Sequence, residues 1–279
     1  MKVERAAGWI LLGLLLVVPT VWMVGYALLY SLGLLGLLSS GLTLEWWRQA
    51  LSGAVLWHSL LLSLGVASVT TLSCLVAGLA VCVAADRWRV QRAVGVLLTI
   101  GAALPVSVGA FVVLQVCSRG GLLPRVLALV IPGFEQSDFP VLVNDGWSVG
   151  IVLAGWLTGV PLTGLYLQGQ WETASVGRYV SLAERLGAGA WRARMCVGVP
   201  MLIRRVGGLT WLLLVWNFSA WEAPLLLGSQ SPRMMSVLIQ QSAGQYSLQE
   251  RPLSFVYASL YFLVLVALLC WLPRRTKLG

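Results

Sequence analysis

Long apolar runs alternate with short polar intervals along nearly the whole chain, at about residues 8–30, 54–85, 93–117, 148–167, 206–228 and 253–272. Each reaches or approaches the roughly 20 residues that cross a bilayer as a helix. The pattern predicts an all-α membrane protein of about six spans in a single domain over 1–279. The run at 8–30 contains Pro19, exceeds a usual signal-peptide core and lacks an A-x-A site, so it reads as a span. The second run is unusually long and carries Ser59, Ser63, Ser68, Thr70, Thr71 and Ser73, whose hydroxyls favour packing against protein over lipid. Pro105 lies inside the third.

Three intervals read as external. Residues 31–53 carry Glu45, Trp46, Trp47 and Arg48, an interfacial signature. Residues 118–147 include a short apolar stretch at 122–131 that suits a surface helix, and 229–252 form the third. The longest polar interval between two spans, 172–200, is different in kind. Within it Val176, Tyr179, Val180, Ala183 and Leu186 recur at helical spacing, with Arg178, Ser181 and Arg185 on the other side. Gly187 follows, suited to the left-handed residue that ends a helix. A second short helix is predicted from Gly189 to about Cys196, before Pro200 restarts the chain. Such a helix pair is a compact docking element for a soluble partner; the same periodicity also describes an ordinary surface loop.

Charge gives the topology. Of 19 Lys and Arg residues, 14 fall before the first span, in the two intervals following the second and fourth, or after the sixth, leaving 5 on the other side. The positive-inside rule then puts both termini and 172–200 in the cytoplasm. With 58% hydrophobic and 10% charged residues, the net charge of +9 belongs to membrane topology rather than to nucleic-acid binding. Cys74, Cys82, Cys117, Cys196 and Cys270 form no C-x-x-C pair and read as small apolar residues. The single histidine, His58, leaves no metal site and no Ser-His-Asp chemistry. A Walker A loop requires a lysine after a glycine-rich turn, and the lysines are Lys2 and Lys277. No ATPase site, catalytic residue or resident cofactor is therefore expected in this chain.

Glu222 is the one acid inside an expected span, and a carboxylate there faces a cavity or a partner by default. Counting from Val206 at ~1.5 Å per residue places it roughly 24 Å into a ~30 Å core. Pro224 removes a helix hydrogen bond and frees a carbonyl near Ala220. Asn217, Ser219 and Glu222 are the candidate pathway residues, although Asn217 and Glu222 do not share a helical stripe. A structural Glu held by helix contacts is the alternative.

The run Ser181-Leu182-Ala183-Glu184-Arg185-Leu186-Gly187-Ala188, followed by Trp191-Arg192 and Val197-Gly198-Val199-Pro200, resembles the EAA loop of binding-protein-dependent ABC importer permeases. In that family Glu-Ala-Ala precedes Gly-Ala by three residues, and a Leu-Pro ending follows. Ala183, Gly187, Ala188, Trp191, Val197 and Pro200 match in register. Ser181 stands where Glu is usual, Leu182 replaces the first Ala, and Arg194 occupies a Phe position. Residues 219–228 resemble the corresponding segment of importers for ferric iron, polyamines, thiamine or sulfate.

The resemblance covers about 54–271 and implies the type I importer permease fold with a cytoplasmic coupling loop at 172–200. It implies docking through Ser181, Ala183, Glu184, Arg185, Gly187, Ala188, Trp191 and Arg192. The implied partners are a pair of ATPase subunits that use the ATP, a second permease (the same or a different chain) and an extracytoplasmic solute-binding protein. The implied setting is the bacterial inner membrane and the implied mechanism alternating access. A stand-alone secondary transporter or channel explains the spans and Glu222 but gives 172–200 no task. A membrane enzyme lacks a His/Asp or Ser/Lys constellation.

Overall fold

The structure, a computed structural model, describes residues 2–36, 41–244 and 251–276, with side chains described for 13–36, 41–244 and 251–270. Lys277 lies outside the described residues, as do 37–40 and 245–250 of the expected external segments. Among the described residues all regular structure is helical, in the order α1 (Lys2–Ser31), α2 (Glu45–Ser52), α3 (Ala54–Arg87), α4 (Gln91–Ala102), α5 (Val106–Cys117), α6 (Leu122–Val130), a 3₁₀ turn, then α7 (Val149–Thr173), α8 (Val176–Arg185), α9 (Ala190–Ala193), a π turn, then α10 (Val199–Ile203), α11 (Gly207–Phe218), α12 (Glu222–Leu227), α13 (Met235–Ala243) and α14 (Arg251–Thr276). Among the described residues, five helical segments are long and apolar enough to cross a membrane, or six if Ala190–Ile203 and Gly207–Phe218, bent at 66°, count as one span.

Two of the six expected spans are broken. The run at 93–117 divides into α4 and α5 around Ala103–Pro105, with Pro105 in extended conformation ahead of α5. The run at 206–228 divides at Ser219–Trp221. A proline ring collides with the carbonyl four residues earlier, so Pro224 disfavours a helical turn at Ala220 and is itself accommodated in the first turn of α12, where its missing N–H costs nothing. Ser219 Oγ also donates to the Val215 carbonyl at 2.7 Å, closing α11 from its own end. At 12 residues, α11 is ~18 Å long, well short of the ~30 Å core.

The chain divides into two compact units, 1–60 with 235–266 and 61–234 with 267–279. In the first, Ala50, Leu56, Met235, Leu238, Val256 and Tyr257 form the core. Tyr26 and Tyr30 of α1 meet Phe255 of α14 with ring centroids 5.9 and 4.3 Å away. Trp47 Nε1 donates to Ser31 Oγ at 3.2 Å, fixing α2 to the end of α1 and leaving both Trp46 and Trp47 half-buried.

The second unit is organised around α7. Its N-terminal end packs in a cluster with Val66, Ala110, Val113, Ala223 and Leu227, and its C-terminal end in another with Cys82, Val176, Val180, Ala193 and Leu202. Asp145 accepts from the Val149 and Trp147 amides at 3.0 and 3.1 Å, satisfying free donors at the start of the helix. Small residues bring α3 and α7 to backbone contact: a Cβ on Gly78 would lie 2.6 Å from Thr163 Cγ2. Of the six hydroxyl residues expected to face protein, Ser59, Ser63, Thr70 and Thr71 are buried, and Ser68 and Ser73 are half-buried. Cys74 and Cys82 are buried as expected, whereas Cys196 and Cys270 are exposed; among the described residues no group of His, Cys, Asp and Glu could hold a metal.

Candidate functional site

The polar interval after α7 folds as a compact knob. Val176 and Val180 of α8 are buried against Trp171 and Leu167 of α7, and Ala183 and Ala188 are half-buried at the edge of the same cluster. The Gly187 amide donates to the Glu184 carbonyl at 3.1 Å and the Ala188 amide to the Ala183 carbonyl at 3.0 Å. Gly187 itself has φ +95°, the left-handed geometry its position after α8 predicts. The second knob helix does not stop near Cys196. It continues from Ala190 through a π turn at Arg194–Gly198 into α10. Pro200 sits at the start of α10, where a residue without an amide hydrogen fits the widened turn before it.

The expected inner face of α8 needs correction at two positions. Tyr179 is 52% exposed and Leu186 81% exposed. Leu182 of α8 and Trp191 of α9, each 54% exposed, add to the large apolar side chains that the knob leaves open. α8 carries two apolar stripes, and only Val176–Val180–Ala183 meets α7. Arg178, Arg185 and Arg192 are exposed around the second. Ser181, also exposed, donates its hydroxyl to the Arg178 carbonyl at 2.9 Å.

Glu184 is turned inward rather than outward. Its Oε1 accepts from Arg194 Nη1 at 2.8 Å, and Arg194 Nε donates to Asp86 Oδ2 at 2.8 Å. Arg194, at the Phe position of the resembled pattern, therefore replaces apolar packing by an ion triad. Nothing in residue spacing pointed to this, because Asp86 lies 108 positions away.

The second candidate feature is a cavity of about 450 Å³. Its wall includes Ala102, Leu104, Pro105 and Val106 from the α4–α5 break, Thr158, Gly159 and Leu162 from α7, and Leu212, Leu213, Trp216 and Asn217 from α11. Backbone that leaves the helix at membrane depth is tolerated where it lines a cavity, and Pro105 does so here. Asn217 Nδ2 donates to Thr71 Oγ1 at 3.1 Å, fixing the amide against α3. Of the three expected pathway residues only Asn217 reaches this wall. Ser219 bonds back to its own helix, and Glu222, half-exposed, opens α12 beyond the break. The break separates Glu222 from Asn217 more completely than the helical stripe argument required.

No protein-family description and no curated protein sequence matches the chain. Solved structures do. The chain is similar to one in the crystal structure of a bacterial ABC transporter involved in the import of the acidic polysaccharide alginate, with a TM-score of 0.77, 11% identity, and coverage of 99% of this chain and 94% of that one. It is also similar to a chain of a bacterial alginate ABC transporter in complex with an alginate pentasaccharide-bound periplasmic protein, at a TM-score of 0.74, 13% identity, and coverage of 99% and 95%. Neither is an importer of the iron, polyamine, thiamine or sulfate group that residues 219–228 resemble, so the comparison supports the importer fold without that branch. Over almost its whole length, the chain has the fold of a chain of a bacterial ABC importer.

Proposed function

We propose that this chain is the membrane-spanning permease subunit of a binding-protein-dependent ABC importer, docking a separate ATPase through α8 and α9. The carrying observation is the exposed apolar face Tyr179–Leu182–Leu186–Trp191, rimmed by Arg178, Arg185 and Arg192. Large apolar side chains on a polar, basic knob have the make-up of a protein contact, with aromatic and Arg anchors enriched and a charged rim. The charge asymmetry supports a cytoplasmic position for this knob and both termini, where ATP is available, and the resemblance to importer permeases implies the bacterial inner membrane. The ATPase binds and hydrolyses ATP, and no cofactor resides in the permease. A second permease completes the pathway, and an extracytoplasmic binding protein delivers the solute. Closure of the ATPases moves the knob, and the spans switch access from one side to the other.

Leu186→Glu tests the docking. Leu186 is 81% exposed, so its replacement spares the fold while placing a desolvated charge in the contact. Co-purification of the cognate ATPase subunit with the permease should weaken about tenfold or more, a difference of ~1.4 kcal/mol. Undiminished capture would remove the face from the contact and favour the stand-alone transporter.

Glu222 is proposed to act on the pathway from the far side of the α11–α12 break. A carboxylate at the start of α12 is favoured by the free amides there, and Glu222→Gln keeps its shape while removing that charge. Solute uptake should fall several-fold with ATPase capture unchanged. Unaltered uptake kinetics would leave Glu222 a purely structural residue.

A further inference from the structure

Arg194 joins elements that lie far apart in the chain. Besides the bonds to Asp86 and Glu184, its Nη1 donates to the Ala190 carbonyl at 2.8 Å, which pins the guanidinium in one orientation. Asp86 is the penultimate residue of α3, and its second oxygen accepts from Gln91 Nε2, at the first residue of α4, at 3.0 Å. A single guanidinium thus connects α8 to the adjoining ends of α3 and α4. The Arg194 and Asp86 side chains are 12% and 17% exposed, so water competes weakly for their bond, while Glu184 at 35% sits at the rim. The last residue of α3 makes a second attachment, with the Arg87 guanidinium 5.8 Å from the Trp191 ring centroid.

Followed the other way, α3 runs unbroken from Asp86 to Thr71, about 22 Å of helix at ~1.5 Å per residue. Thr71 holds Asn217 at the cavity wall. The path from knob to cavity is therefore one ion triad, one unbroken helix and one hydrogen bond. Apolar contacts are non-directional and let surfaces slide, whereas charge-assisted bonds fixed at both ends of a guanidinium resist both pull and shear.

We propose that Arg194, clamped between Glu184 and Asp86, is the joint that passes movement of the docking element into α3 and so to the cavity at Asn217. This rests on the docking reading of α8 and α9. It assigns Arg194 and Asp86 a positioning role in coupling, separate from ATPase capture itself.

The test uses the full-length chain, with its five cysteines replaced and Thr158→Cys placed in the cavity wall, assembled with the ATPase in lipid nanodiscs. The readout is the maleimide labelling rate at residue 158 with and without ATP plus orthovanadate, alongside ATPase capture. The parent should change its labelling rate by about fivefold or more on nucleotide trapping, a population shift of roughly the size of typical coupling energies. Arg194→Gln and Asp86→Asn should each reduce that response to less than about half while capture stays within about twofold, and the double variant should be no worse than either single one because both remove the same link. Arg194→Lys, which keeps the charge without the two-headed geometry, should fall between. A full response in Arg194→Gln and Asp86→Asn with normal capture would overturn the proposal and leave the docking reading standing. Loss of capture together with response would also overturn it, since the triad would then only hold the knob in shape. A parent that captures the ATPase but shows no labelling change would break the link between α3 and the cavity. No capture by the parent would remove the docking reading and this proposal with it.

Discussion

Gly78→Leu is expected to abolish recovery of the folded protein. At Gly78 a Cβ would stand 2.6 Å from Thr163 Cγ2, 2.8 Å from Thr163 Cβ and 3.1 Å from the Gly164 amide nitrogen. Two of these three atoms cannot rotate away. Thr163 is fully buried and its hydroxyl donates to the Gly159 carbonyl at 2.7 Å, so it cannot turn aside without losing that bond. A leucine there forces α3 and α7 apart along the seam on which the second unit is built. Overpacking of this kind costs about 1–3 kcal/mol for a few methylenes and more where backbone is the obstacle. Gly169→Leu is the matched control, because that glycine lies on the same α7 with no atom within 4 Å of its would-be Cβ. The yield of monodisperse protein in detergent should drop at least ~10-fold for Gly78→Leu and stay near wild type for Gly169→Leu, with a lower melting temperature for any Gly78→Leu recovered. Equal yields for the two would show that the α3–α7 approach carries little of the fold's stability.

Gly187→Val should leave the membrane spans intact and disable docking. The space around Gly187 is open, with nothing within 4 Å of a Cβ built there, so the whole penalty arises from φ +95°. A β-carbon in that region costs on the order of 1 kcal/mol, and a β-branched side chain costs more. The cheapest relief is a rotated turn, which tilts α9, with Trp191, relative to α8. Gly189, by contrast, has φ −62° and ψ 144°, extended backbone open to any residue, and Gly189→Ala should be silent. Measured as ATPase retained by the reconstituted protein and solute accumulated per ATP hydrolysed, Gly187→Val should lose about tenfold in one or both. Wild-type values in both would show that the turn does not set the docking geometry.

Which features the sequence reveals depends on how local their causes are. Apolar runs mark α1, α3, α7 and α14 because crossing a bilayer requires a length of apolar chain that composition alone displays. Gly187 marks the end of α8 because only glycine takes its conformation at no steric cost. The helix pair it divides was legible for the same reason, though not the length of its second member. Pro105 and Pro224 are visible as breakers, yet Pro19 and Pro161 lie inside unbroken helices, and the proline alone does not say which case applies. Packing decides it. Pro105 lies where the chain turns along a cavity wall, and Pro224 fits into the first turn of a helix buried against α5 and α7.

The period of α8 establishes that it is amphipathic but not which stripe goes inward, because Val176–Val180–Ala183 and Tyr179–Leu182–Leu186 both repeat at helical spacing. Only the position of Trp171 on α7 selects the first and leaves the second open. Pathway residues follow the same rule: Asn217 reaches a cavity because Thr71 on another helix holds it there, and Ser219, two residues on, returns to its own backbone. The sequence by itself determined the helical class, its long apolar segments and the glycine turn, since each is set by a residue's own chemistry or its immediate neighbours. Only the tertiary structure decided the broken spans, the exposed face of the knob and the Asp86–Arg194–Glu184 triad, since each depends on which surfaces meet when distant segments share one core.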